Sequence, residues 1–260
     1  MNILKKIIFS KIKSILRFFG FIVIRPKDCV DISVLKDKYA HKERGFVYGL
    51  SKYLVDSLDC EASPGVIEII IKQLLHANGG NVRGKRLLNL GGGIGQVANI
   101  YSEIGFDVYN LDVAVAKNDE RNVRFDLNCF ESLPYSDESF DYVVCSEIVE
   151  HIENPWKLFR DVKKVLKKDG ALIVSTPNIL SVYSKLLFLF TGYFYWFTPR
   201  CFSFHVNPVP YWELKIISEK EGFQQIEVFG SGDYYFRGSK RINRILSKNE
   251  ALIIWYKRVL

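Results

Sequence analysis

The chain has 260 residues, 48% hydrophobic and 25% charged, a globular balance that excludes intrinsic disorder and fibrous architectures. Its formal charge of +7 comes from 36 Lys and Arg against 29 Asp and Glu. Six basic residues (Lys5, Lys6, Lys11, Lys13, Arg17 and Arg25) lie in the first 25 positions, where there is no acid, so the body is nearly neutral and a nucleic-acid binder is not expected.

Residues 1–24 place Leu4, Ile8, Ile12, Ile15, Phe19 and Ile22 at steps of three and four, one apolar face of a helix, with Lys6, Ser10, Lys13, Arg17 and Gly20 on the other side. Two partners fit such a helix: an anionic membrane surface, met peripherally, or the protein's own core or a second subunit. Charges interrupt the apolar run up to Arg17, so neither a secretory signal nor a membrane span is expected, and Arg25-Pro26 marks the stop. The chain therefore divides into a basic amphipathic helix (1–25) and one domain (26–260). Five cysteines (Cys29, Cys60, Cys129, Cys145 and Cys201) are scattered without close pairing, which fits a reduced, cytoplasmic compartment.

Residues 63–77 read as a helix covering one side of a sheet. From Arg86 onward β-rich apolar runs alternate with helical patterns, the signature of an α/β fold with a mostly parallel sheet between helical layers. LLNL (87–90), FDVYNL (106–111), VRF (123–125), FDYVVC (140–145) and ALIVS (171–175) read as five strands. A helix around Trp156 to Leu166 is expected to end at Lys167-Lys168-Asp169-Gly170, with Gly170 as a left-handed cap. Residues 179–206 break the rhythm, with nine aromatic residues between Phe188 and Phe204, and read as a lid, a membrane-dipping segment or a packed hairpin. EGFQQIEVF (221–229) and ALIIWYKRV (251–259) look like a final pair of strands.

In LLNLGGGIGQ (87–96) a buried strand runs into a glycine turn that opens a helix. Gly91, Gly93 and Gly95 let backbone approach a ligand, and the helix amides point into the same space. Asp112 ends the next strand, where a carboxylate can accept from both hydroxyls of a ribose, so an adenosine-containing ligand is expected. Gln96 stands where a dinucleotide fingerprint wants Gly or Ala, and no Lys followed by Ser or Thr makes a triphosphate loop.

In order, LLNLGGGIG, Asp112, FDLN (125–128), LPYSDESFDYVVCSEIVEHIENP (133–155) and VLKKDGALIVSTPN (165–178) resemble the motifs of class I S-adenosylmethionine-dependent methyltransferases, over roughly residues 85 to 180. EIVEHI with TPN looks like the branch holding ubiquinone-type O-methyltransferases and the methyltransferases of bacterial surface-polysaccharide clusters. HVNPVPYWELK (205–215) and the basic start look most like the polysaccharide group. The resemblance implies a Rossmann-like three-layer sandwich around a seven-stranded, mostly parallel sheet whose last strand is antiparallel. It implies S-adenosyl-L-methionine as cofactor, with Gly91, Gly93 and Gly95 against its methionine and ribose, Asp112 on the ribose, and Asp126 with Leu127 beside the adenine. The family's usual acid two positions before the first glycine is Asn89 here, which keeps a hydrogen bond to the ammonium but not the charge.

The resemblance further implies O-methylation of a sugar or glycan, free or lipid-linked, in bacterial cell-surface polysaccharide synthesis. The alternatives are a lipid-soluble acceptor such as a quinone precursor, and an inactive cofactor-binding partner in a membrane-associated complex. A sugar hydroxyl is a weak acid and gains from a general base. Of four histidines, His76 reads as a helix C-terminal partner and His41 as solvated. His151 follows the fourth strand at the edge where ligands bind, and Glu147 lies four residues before it, on the same face if a helix starts there. His151, Glu147 and His205, in the loop past the fifth strand, are the catalytic candidates, against helix-stabilising and loop-packing roles. No carboxylate cluster beyond Glu147 and Glu150 supports a metal, so none is assigned.

Overall fold

The computed structural model describes residues 65–199, 201–231 and 251–259. The amphipathic reading of residues 1–24 lies outside the described residues. Chain order is α1 (Val66–Ala77), β1 (Arg86–Leu90), α2 (Gln96–Ile104), β2 (Asp107–Asp112), β3 (Asn122–Arg124), β4 (Phe140–Ser146), a 3-10 turn (Val149–His151), α3 (Pro155–Val165), β5 (Leu166–Pro177), α4 (Val182–Thr191), α5 (Tyr211–Lys220), β6 (Phe223–Ser231) and β7 (Ala251–Arg258).

The strands form one seven-stranded sheet in the order β3-β2-β1-β4-β5-β7-β6. β1 to β5 pair in parallel, and β7 runs antiparallel to both β5 and β6. Each central strand is apolar on both faces because helices cover both. In β5, Leu172 and Val174 point into the layer that holds Leu158, Phe159 and Val162 of α3 and Leu214 and Ile217 of α5. The alternate residues Ala171 and Ile173 point to the opposite layer, with Ile70 and Leu74 of α1 and Tyr101 of α2. A period-two switch of face along one strand thus builds both cores. Among the described residues, no helix is long and apolar enough to cross a membrane.

The start of α3 follows its sequence: Asn154 accepts from the Lys157 amide at 3.0 Å, and Pro155 needs no partner for its missing N–H. Its end does not. Leu166 is already extended and paired with Phe140, and the residue with left-handed backbone is Asp169 (φ 63°), not Gly170. The expected glycine cap is replaced by a bulge between α3 and the regular part of β5. Gly170 serves close approach, since a Cβ there would lie 2.9 Å from the Lys167 carbonyl oxygen and 3.2 Å from that of Asp141.

Candidate active site

Parallel order brings the loops after β1, β2, β3, β4 and β5 to one edge of the sheet, the edge where ligands bind in such folds. At the first loop, Gly91 has φ 69°, and a Cβ on it would overlap the Ile148 side chain. A Cβ on Gly92 would overlap the side-chain amides of Asn89 and Asn110. Gly95, at φ 96°, opens α2 with no side-chain cap, which leaves its first amides directed at the loop.

Asn89 is 2% exposed and donates its amide to Asn110 Oδ1 at 3.1 Å, while Asn110 donates to the Gly93 carbonyl at 3.2 Å. These two amides support the glycine loop from below. Asn110 is 1% exposed, and a buried polar residue inside an apolar strand was the signal that could have revealed it. Asp112 accepts from the Gly93 amide at 2.9 Å through Oδ2 and from the Ala114 amide at 2.7 Å through Oδ1. Each oxygen keeps a second lone pair, so the carboxylate can still accept from a diol.

After β3, Asp126 is exposed and Leu127 half-buried against the core. Between them and the β4 loop lies Asn128, which donates to the His151 carbonyl at 3.1 Å and accepts from the Glu153 amide at 2.8 Å. It ties two loops of the site together. Three apolar side chains on the same edge stand exposed: Ile94, Val113 and Phe130. Exposed apolar groups beside a polar crevice suit the flat faces of a base.

Past β4, Glu147 adopts left-handed backbone at φ 53°. That turn prevents a continuous helix, so Glu147 and His151 do not share a helical face. Instead, Glu147 folds back onto β5, donating its amide to Ser175 Oγ at 2.9 Å and accepting from Ser175 Oγ at 3.1 Å. Glu150 is 1% exposed and accepts from Thr176 Oγ1 at 3.1 Å through Oε2, whereas Oε1 has no partner. Burial, and then the nearby Glu147, push the Glu150 carboxyl well above its ordinary range.

The structure brings His205 to this turn. Its ring lies 4.8 Å from that of His151 between centroids. Val206 and Asn207 both donate their amides to the Glu150 carbonyl at 3.0 Å, which fixes the approach. His151 Nδ1 donates to the Phe204 carbonyl at 2.7 Å, and His205 Nδ1 to the Trp196 carbonyl at 2.7 Å. A carbonyl only accepts, so both Nδ1 atoms carry protons, and in the neutral ring it is Nε2 that presents the lone pair. Burial lowers the His205 pKa, the Trp196 hydrogen bond opposes this, and the nearby His151 lowers it further.

The segment over this pair contains α4, capped by Ser181 and ended by Gly192. Phe188 stacks on Phe194 at 4.5 Å, and Tyr183 meets Tyr195 edge-on at 5.1 Å. Phe197, Phe204 and Trp196 all touch the His205 ring. Leu189 and Phe190, in contrast, are 72% and 81% exposed.

A methyltransferase-domain model matches residues 67–228, more than half of the chain. The chain belongs to the methyltransferase-domain family. An uncharacterized protein of Methanocaldococcus jannaschii is 32% identical over 46% of this chain and 58% of its own length. A ubiquinone biosynthesis O-methyltransferase of Glaesserella parasuis is 29% identical over 36% of this chain and 46% of its own. An uncharacterized methyltransferase of Bacillus subtilis is 35% identical over 34% and 39%. The chain thus spans roughly half the length of these relatives. A solved structure of a S-adenosylmethionine-dependent methyltransferase from Methanosarcina mazei shares the fold, with TM-score 0.51, 18% identity and coverage of 72% of this chain and 97% of that one.

Family and fold together imply S-adenosyl-L-methionine as the cofactor. The residues fit it: a loop on which side chains would collide at Gly91 and Gly92, and a carboxylate with spare acceptor capacity at Asp112. Gly91, Gly93, Gly95 and Asp112 lie together, with Asn89 beneath them, while Asp126 and Leu127 occupy the neighbouring loop. His151 and His205 come together as sequence could not foretell, and Glu147 turns away toward Ser175.

Proposed function

We propose that this methyltransferase places the methyl group of S-adenosylmethionine on a hydroxyl oxygen of a sugar or glycan used in bacterial cell-surface polysaccharide synthesis, at the cytoplasmic face of the membrane. The cofactor, when bound, supplies a sulfonium methyl already activated for transfer. The protein's own part is to align the acceptor oxygen and manage its proton. Asp112 and the glycine loop hold one reactant. The imidazole pair, at the same edge, is where the acceptor's O–H would be held, and an Nε2 lone pair can take the proton as the new C–O bond forms.

The observation that carries this reading is the pair of imidazoles with both Nδ1 atoms committed to carbonyls, set under an aromatic segment. Aromatic faces suit the C–H faces of sugars, and a lipid-linked glycan would place the exposed Leu189 and Phe190 at the bilayer. A second reading, a lipid-soluble acceptor such as a quinone precursor, is favoured by the relative from Glaesserella parasuis. A third, a cofactor-binding partner without turnover, is carried by the missing acid at Asn89.

The test supplies isotope-labelled methyl cofactor together with nucleotide sugars and lipid-linked glycan, and separately with phenolic quinone precursors. Label in the glycan fraction supports the proposal. Label confined to the phenol installs the second reading, and cofactor binding without label in either installs the third.

A further inference from the structure

We propose that Glu150, His151 and His205 form a binding site for one divalent first-row transition-metal ion, of the zinc class, which staples the segment after β5 to the end of β4. One candidate ligand atom from each of the three residues lies within 4.8 Å of the others. The inference goes beyond the methyl-transfer reading and does not depend on the acceptor.

Three features of these side chains point to an ion rather than to packing alone. Each imidazole has its Nδ1–H held by a backbone carbonyl at 2.7 Å, the arrangement that fixes a histidine's tautomer and leaves Nε2 as donor to a metal. Glu150 is almost wholly buried, with one carboxylate oxygen bonded to Thr176 and the other bonded to nothing, a cost that a cation would remove. Two neutral imidazoles and one carboxylate make a ligand set of single negative charge that a divalent ion complements.

The donor chemistry selects the ion. Magnesium and calcium favour oxygen cages, whereas two nitrogens with one carboxylate suit zinc, cobalt or iron and leave a coordination position open. Bonds of about 2.0–2.2 Å around a tetrahedral ion place donors roughly 3.3–3.6 Å apart, so a pair standing at the full 4.8 Å must close by about 1.2–1.5 Å. His151 on a single 3-10 turn and His205 in an irregular segment can make that move without disturbing the sheet. An acceptor oxygen on the open position would have its O–H polarised by the ion, and its proton would then leave to water, because the ion occupies the Nε2 lone pairs that serve as base in the metal-free site; that meaning alone rests on the proposed function.

The experiment titrates Co(II) into tag-free, metal-stripped full-length protein and follows the visible d–d bands, then displaces Co(II) with Zn(II). One equivalent is expected, with band intensities of four- or five-coordinate cobalt. His205→Gln and Glu150→Gln should each weaken binding at least 100-fold. S-adenosylhomocysteine affinity, read in parallel, reports that each variant is folded, and His205→Gln should keep it within about twofold. Absence of stoichiometric Co(II) or Zn(II) binding to folded wild type overturns the proposal. So does equal binding by His205→Gln, which would mark an adventitious ion, and so does a site that takes Mg(II) in preference to both.

Discussion

At the amino edge of the sheet, Asp141 accepts from the Arg86 amide at 3.0 Å and from Lys167 at 2.8 Å, with Lys85 at 3.4 Å. Asp161 is held likewise by Lys157 at 2.7 Å and Lys164 at 3.4 Å. At the carboxyl edge, Glu147 sits on left-handed backbone, Glu150 buries a carboxylate oxygen without a partner, and two imidazoles leave their Nε2 atoms uncommitted. The Asp141 and Asp161 charges join β4 to β1 and β5 and brace α3 along its own length. The carboxyl edge keeps polar groups under-used, the pattern of a site that completes its bonds with a ligand.

Four variants break or sharpen that contrast. Asp112→Ala removes the acceptor for the ribose diol and should weaken S-adenosylhomocysteine binding by at least about 30-fold, or ~2 kcal/mol, in calorimetry. Unchanged affinity would move the cofactor away from β2. Gly92→Ala forces a methyl group into the Asn89–Asn110 amide pair and should lower affinity about tenfold together with a loss of thermal stability. Retained affinity would show that the loop is not the cradle.

Asp141→Asn tests the opposite edge, and should cost about 1–2 kcal/mol at pH 7 in urea unfolding while leaving cofactor affinity unchanged. Burial opposes the Asp141 charge, but the Lys167 hydrogen bond and the Arg86 amide outweigh it, so its carboxyl titrates below the ordinary range. A depressed folded-state pKa stabilises the protein above the unfolded value, near 3.9, and that contribution is lost as pH falls through the lower folded value. The gap between wild type and variant should therefore narrow toward pH 3. The smallest effect on stability is expected from Leu189→Ser with Phe190→Ser, within about 0.5 kcal/mol because both are exposed. Their consequence should appear instead as weaker sedimentation with anionic vesicles; unaltered sedimentation would remove α4 from the membrane reading.

The sheet was legible because the central parallel strands carry mostly apolar runs with their own turn residues, and the glycine loop with Asp112 is local in sequence. The site around His151 was not. Its partner His205 is 54 positions away, and contacts across that gap bring it there: the Val206 and Asn207 amides on the Glu150 carbonyl and the His151 ring on the Phe204 carbonyl. The helix read through Glu147 and His151 failed because a positive φ at Glu147 turned that carboxylate onto Ser175, a choice made by the neighbouring strand rather than by helical spacing. By residue type Gly170 reads as a cap, whereas pairing of Leu166 with Phe140 ends α3 first.

The most direct test of the account is calorimetric titration of the folded full-length protein with S-adenosylhomocysteine, alongside Asp112→Ala. The account predicts saturable one-to-one binding in the micromolar range that Asp112→Ala weakens at least about 30-fold. A folded wild-type protein that gives no saturable heat would contradict it, because the glycine loop, Asp112 and everything assigned to the carboxyl edge depend on that ligand.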